Sequence, residues 1–226
     1  MNAPDGLAAA AEGMRVQADA LGVIAQNLAN TSTAGYRPRV QALAPFADEL
    51  HAQVGVSRSQ GALRRTGVST DLALAGSGYF ALATSAGVRY TRDGRVSVDQ
   101  RGFLADARGN CLLGSLGPVR FPRGAHIDED GRVVYAGRAV DRLRIVDFDV
   151  PCPSDESGYF IAPAGRVPKR ATATVRSGYL EDSGVDAIEQ MTALIAAQRA
   201  YEADEKAALQ TDERLRRLSE LPVLRS

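Results

Sequence analysis

The chain has no tryptophan, two histidines and two cysteines among its 226 residues. So thin a stock of soft donors excludes the common zinc sites: His51, His126, Cys111 and Cys152 lie far apart, with no second His or Cys at ligand spacing. The two cysteines could pair in an oxidising compartment, but two isolated cysteines are more often buried thiols. An excess of one charge is also missing, since 27 Lys and Arg balance 27 Asp and Glu. No basic field therefore argues for nucleic acid or an anionic membrane surface. No apolar run approaches the ~20 residues of a membrane helix, so membrane insertion is not expected. Met1–Gly6 carries no positive charge, and the Ala8–Ala11 run is broken by Glu12 and Arg15. The start does not read as a signal peptide, which by itself predicts a cytoplasmic protein.

Catalytic constellations are missing as well. There is no G-x-S-x-G and no H-E-x-x-H. Gly76-Ser77-Gly78 holds two glycines of a dinucleotide loop but precedes a strand pattern rather than a helix, so it reads as a tight turn. Asp128-Glu129-Asp130-Gly131 resembles the middle of a calcium loop, yet His126 stands where the first acidic ligand belongs and no Glu closes it. A hairpin turn is the better reading. We expect no enzyme activity, no cofactor and no metal.

What the chain does have is two long periodic stretches around a turn-rich middle. From Ser183 to Leu221 there is neither Gly nor Pro after Gly184. Ser183 and Asp186 are candidate N-caps, Glu189 completes a capping-box pattern, and Pro222 supplies a stop. Such a helix runs roughly 50 Å, longer than a small domain is wide. Its apolar stripe is Ile188, Met191, Leu194, Ile195, Tyr201, Ala208, Leu209 and Leu215, interrupted on one row by Gln198, Glu205 and Asp212. Residues 5–30 form a second helix, in which Leu7, Ala11, Met14, Ala18, Leu21, Ala25 and Leu28 recur at spacings of four and three. Every second member is Ala, which allows a partner helix to come close. Asn30, with Thr31 and Ser32, ends that helix as a C-cap.

Between the helices, residues 33–70 and 151–182 are Gly- and Pro-punctuated and read as connecting arms, with a short helical piece near Phe46–Val54. Residues 71–150 carry turn chemistry every few residues, including Asp93-Gly94 as a hairpin between Val88–Thr91 and Val96–Val98. The fold class is α+β. Terminal helices (1–32 and 183–226) form a coiled-coil-like assembly domain, and a central antiparallel all-β domain (71–150) sits between irregular arms.

Four blocks carry a family resemblance. They are Gly13-Met14 with Asn27-Leu28-Ala29-Asn30, Thr33 and Gly35-Tyr36-Arg37; Thr70-Asp71-Leu72-Ala73-Leu74-Ala75-Gly76-Ser77-Gly78-Tyr79-Phe80; Tyr90-Thr91-Arg92-Asp93-Gly94 with Gly102-Phe103-Leu104 and Leu112-Leu113-Gly114; and Gly178-Tyr179-Leu180-Glu181 through Met191 to Gln198-Arg199-Ala200-Tyr201-Glu202 and Thr211-Asp212. In this order, across nearly the whole chain, they resemble the axial rod and hook proteins of the bacterial flagellum. Gln26, Gly184 and Asp204 stand where that family usually has Asn. The short β domain resembles the rod proteins of the FlgF/FlgG type, and the proximal FlgF type in particular.

The resemblance implies a structural subunit of the basal-body rod, a periplasmic drive shaft transmitting torque from motor to hook. It implies other copies, other axial proteins and the flagellar type III export apparatus as partners. It also implies export without a cleaved signal, which replaces the cytoplasmic expectation. Asn30, Gln198 and the two apolar stripes would then be assembly surface. The alternative is an extracytoplasmic binding module with a coiled-coil stalk and a β head.

Overall fold

A computed structural model describes residues 3–46, 49–57, 59–150, 152–155 and 157–219. Among these residues, two helices and sixteen short strands separate into two units.

The first unit holds α1 (Ala3–Ala29), the paired strands β1 (Arg39–Phe46) and β2 (Glu49–Val56) as far as Val54, and α2 (Ala187–Ser219). Pro4 sits in the first turn of α1, where its missing N–H would have had no intrahelical acceptor. After Ala29 the chain turns, with the Thr33 amide donating to the Asn30 carbonyl at 3.1 Å and the Thr33 hydroxyl to Asn30 Oδ1 at 3.0 Å. Asp186 caps α2: its Oδ1 accepts from the amides of Ile188 (2.8 Å) and Glu189 (3.2 Å). Ser183 plays a different part, its hydroxyl accepting from the Val185 amide at 3.3 Å. The helix ending expected at Leu221 and Pro222 lies outside the described residues. The helical piece expected near Phe46–Val54 is a correction: those positions close β1 and form β2. β1 supplies a ladder partner that a local propensity reading leaves out.

The second unit is the β body. Its largest sheet runs β14 (Lys169–Arg170), β13 (Ile145–Asp147), β5 (Tyr79–Thr84), β9 (Cys111–Leu112), β8 (Leu104–Ala105), β7 (Ser97–Val98), with β6 (Gly87–Thr91) also on β5. A three-stranded sheet orders β10 (His126–Ile127), β11 (Arg132–Tyr135) and β12 (Arg138–Arg142). Two further pairs are β4 (Leu72–Ala75) with β15 (Thr174–Ser177), and β3 (Leu63–Arg65) with β16 (Tyr179–Glu181). The ladders are antiparallel, as expected.

β5 is the central strand of this body. Phe80 and Leu82 enter one core cluster with Leu72, Leu74, Leu104, Leu112, Val119, Val133 and Val175. Ala81 enters the other, with Tyr90, Val146, Phe148, Cys152 and Phe160. Both faces of the strand are covered, which is why it reads as an unbroken apolar run. The second cluster is an aromatic nest, with Tyr79 4.9 Å from Phe160 and Tyr90 edge-on to Phe148 at 5.1 Å. Cys111 and Cys152 are separate buried thiols. The segments read as outgoing and return arms pair with each other through β3 and β16, and Phe160 pairs with Tyr90.

The Asp128–Gly131 hairpin forms, joining β10 to β11 with Ile127 opposite Val133. The Asp93-Gly94 hairpin does not. β6 pairs with β5 and β7 with β8, while Gly94 lies against β4 and its carbonyl accepts from the Leu72 amide at 3.0 Å. A Cβ on Gly94 would overlap the Leu72 carbonyl. This glycine is needed for close approach to another strand rather than for a hairpin turn.

Candidate assembly surface and its buried anchor

In the helical unit, α1 and α2 pack on each other. The α1 row withdrawn from solvent is Ala10, Gly13, Gln17, Ala20, Ile24 and Asn27. It has the same heptad spacing as the apolar seam expected from the sequence, but runs one residue ahead of it. The matching α2 row is Gln190, Ala193, Ala197, Ala200 and Asp204. Small residues on both sides let the backbones approach closely. At Gly13 a Cβ would stand 2.8 Å from Asp204 Oδ2, so that position admits no side chain unless Asp204 moves.

Asn27, 2% exposed, holds three elements. Its Nδ2 donates to the Arg39 carbonyl (2.8 Å) and to Gln190 Oε1 (3.1 Å), and its Oδ1 accepts from the Arg39 amide (2.8 Å). This one side chain thereby ties β1 to α1 and α1 to α2.

The residues expected to form the assembly surface divide accordingly. Met14, Leu21 and Leu28 are half-buried on the flank of the inward row, and Ala11, Ala18 and Ala25 are exposed. On α2, Leu194 and Tyr201 are half-buried and Gln198 is exposed. Ile188 is 77%, Met191 53%, Ile195 53% and Leu209 60% exposed. Asn30 is half-buried in the turn after α1. Leu7 lies in α1 and Leu215 in α2, with side chains outside the described residues. On α2 this departs from the usual amphipathic arrangement, because Ala193, Ala197 and Ala200 are withdrawn from solvent while Ile188, Met191, Ile195 and Leu209 stand in water.

The β body contains a site that the sequence reading did not single out. Glu181, on β16, is 1% exposed and lies between two arginines that are each 3% exposed. Arg37 Nη2 is 3.2 Å from its Oε1, and Arg92 Nη1 is 3.4 Å from its Oε2. The Gly61 amide adds a hydrogen bond to Oε1 at 3.1 Å. Arg92 also donates to the carbonyls of Leu74 (3.3 Å) and Gly76 (2.5 Å), and its guanidinium lies 5.8 Å from the centre of the Tyr79 ring. Burial pulls the Arg92 guanidinium below its ordinary pKa, and the Glu181 charge opposes that shift.

Backbone bonds tighten the same place. The Gly35 amide donates to the Glu181 carbonyl at 2.8 Å, and the Gly184 amide to the Tyr36 carbonyl at 3.0 Å. Gly35 has φ +66, and a Cβ there would overlap the Arg92 carbonyl. Gly35-Tyr36-Arg37, Arg92-Asp93-Gly94, Leu72–Gly76 and Gly178–Glu181 thus converge on one buried charge cluster. Its only trace in the sequence was that each member sat in one of the four family blocks.

Residues 73–135 match the family model described as the flagellar hook protein FlgE/F/G D1 domain, and residues 176–221 match the flagellar basal body rod FlgEFG protein C-terminal model. The flagellar basal-body rod protein FlgF of Rhizobium meliloti is 30% identical, over 80% of this chain and 83% of its own length. The chain belongs to the flagellar basal-body rod proteins of the FlgF/FlgG type. FlgF of Mesorhizobium japonicum is 31% identical with the same coverage, and FlgG of Bacillus subtilis is 29% identical over 92% of this chain and 96% of its own. By these names the family is structural, not enzymatic. The D1 match contains Arg92 and the C-terminal match contains Glu181, so the anchor joins the two matched segments. No described helix is long and apolar enough to cross a membrane.

Proposed function

We propose that the chain is a subunit of the flagellar rod that polymerises through its terminal helices and transmits torque from motor to hook. The observation that carries this reading is the exposed apolar face of α2. Ile188, Met191, Ile195 and Leu209 are bulky and exposed, while Ala193, Ala197 and Ala200 are withdrawn from solvent in the contact with α1. Fully burying such side chains is worth about 1.5–3 kcal/mol each. In a polymer, neighbouring copies and other axial proteins would cover them, while the Ala11–Ala18–Ala25 row would pack in a coiled-coil-like inner layer. Leu7 and Leu215 would extend the same stripes, while Gln198 and Asn30 would help choose register. The β body would form the outer layer, in a proximal FlgF-like position in the periplasmic rod. Subunits would reach it through the type III export apparatus without a cleaved signal.

The test is sedimentation of the full chain over a range of concentrations, joined to motility of a complemented deletion strain. Monomer in equilibrium with open-ended polymer is expected. Leu21→Asp should abolish the polymer and motility while leaving the melting of the β body unchanged. A discrete dimer or trimer, or normal motility with Leu21→Asp, would overturn the reading.

A further inference from the structure

The chain is neutral overall, but its two units are not. The helical unit carries eight basic and thirteen acidic residues, and the β body nineteen and fourteen, giving −5 and +5. Opposite net charges on two surfaces of one subunit favour head-to-side association of copies and disfavour like-on-like contact.

The β body carries an open trough of about 760 Å³ lined by more basic than acidic residues. It opens where β13 and β14 diverge. Val146 pairs with Arg170 and the Ala171 amide donates to Ile145 at 3.2 Å, after which the chain leaves to join β4 at Ala75. Arg142, Arg144 and Arg170 line it. Its two acids are already engaged, Glu129 with Arg176 at 2.8 Å and Asp130 with Arg132 at 3.3 Å. Next to lining residues Ser115 and Pro168 stand Leu116 and Val167, 85% and 83% exposed. The trough thus offers cations, with exposed apolar residues next in sequence to its lining.

The complementary pattern lies on α2. Ile188, Met191 and Ile195 share an exposed face that continues through Glu202 and Glu205 to Leu209. We propose that the arginine trough receives this apolar and acidic stripe of α2 from a second copy of the chain. The proposal rests on the self-assembly reading above and names one contact within it. The Ile and Met side chains pack beside Leu116 and Val167, and Glu202 and Glu205 meet Arg144 and Arg170.

Charge reversal on the full chain tests it. Arg144→Glu with Arg170→Glu, and separately Glu202→Arg with Glu205→Arg, should each raise the concentration needed for polymer about tenfold. The four changes combined in one chain should return it to near the wild-type value. Polymer of the wild type should also weaken between about 0.05 and about 0.5 M salt. Circular dichroism melts confirm that each variant is folded, and Arg170→Glu alone replaces the first pair if that pair unfolds the β body. Folded variants that polymerise like the wild type, or a combined chain no better than its parents, overturn the contact while leaving self-assembly standing. A wild type that stays monomeric at every concentration overturns both.

Discussion

Arg37 and Glu181 form an ion pair at 3.2 Å with both side chains almost wholly buried. One comes from the turn after α1 and the other from the strand that precedes α2. Arg92 completes the cluster, so a single carboxylate faces two guanidinium groups away from water. Removing one partner from such a cluster strands a buried charge. Glu181→Ala should cost about 3–5 kcal/mol in urea unfolding followed by near-UV circular dichroism. The exposed Arg64–Asp182 pair at 2.9 Å is the control, and Arg64→Ala should stay within about 1 kcal/mol of wild type. Equal effects would mean that burial does not govern the cluster.

Gly35 tests close approach against backbone strain. Its φ is +66 and a Cβ would strike the Arg92 carbonyl, whereas Gly102, at φ +85, has nothing within 4 Å. Gly102→Ala should cost only the left-handed strain, about 1–2 kcal/mol. Gly35→Ala should cost at least about 3 kcal/mol, because the anchor must also shift. Thermal melts of the two variants, compared with each other, separate the contributions.

Asn27 offers a local readout. Asn27→Ala removes the acceptor of the Arg39 amide and two donated bonds, and should destabilise the helical unit by about 1–3 kcal/mol. Hydrogen exchange at the Arg39 amide should accelerate sharply while amides of β5 remain protected. Unchanged protection at Arg39 would show that the β1–β2 pair is held by other contacts.

Asp93 predicts a pH effect. Burial pushes its carboxyl above the ordinary value of 3.8, against the hydrogen bond from the Arg95 amide. The folded state therefore binds more protons than the unfolded state between the ordinary and the raised value. Stability contributed by that proton is present below the ordinary pKa and is lost as pH rises through the raised one. Asp93→Asn, which keeps the acceptor oxygen for Arg95, should flatten this decline and leave the protein more stable than wild type at neutral pH. Urea midpoints at a series of pH values check the sign.

Much of the fold was legible in local pattern. Heptad spacing marked both helices, Asp186 announced the start of α2, and Asp128–Gly131 announced a hairpin, because caps and tight turns are satisfied by residues a few positions away. Asp93-Gly94 carries the same turn chemistry and misled, since its glycine is required by Leu72, a contact invisible to local reading. Phe160 and Val175 looked like parts of a loose arm because their packing partners are strands remote in sequence.

The sequence by itself determined that two long helices flank a turn-rich β region, that the catalytic motifs sought do not occur in it, and which family the chain resembles. Those properties reside in periodicity, composition and short ordered blocks. Only the tertiary structure decided that Arg37, Arg92 and Glu181 meet inside the β body, and that α1 turns Ala10–Asn27 rather than the neighbouring seam toward α2. A charged residue reads as surface until its counter-charge is located, because burial is tolerable only with a partner in place. Two heptad rows one residue apart differ only in rotation about the helix axis, and the packing partner selects between them.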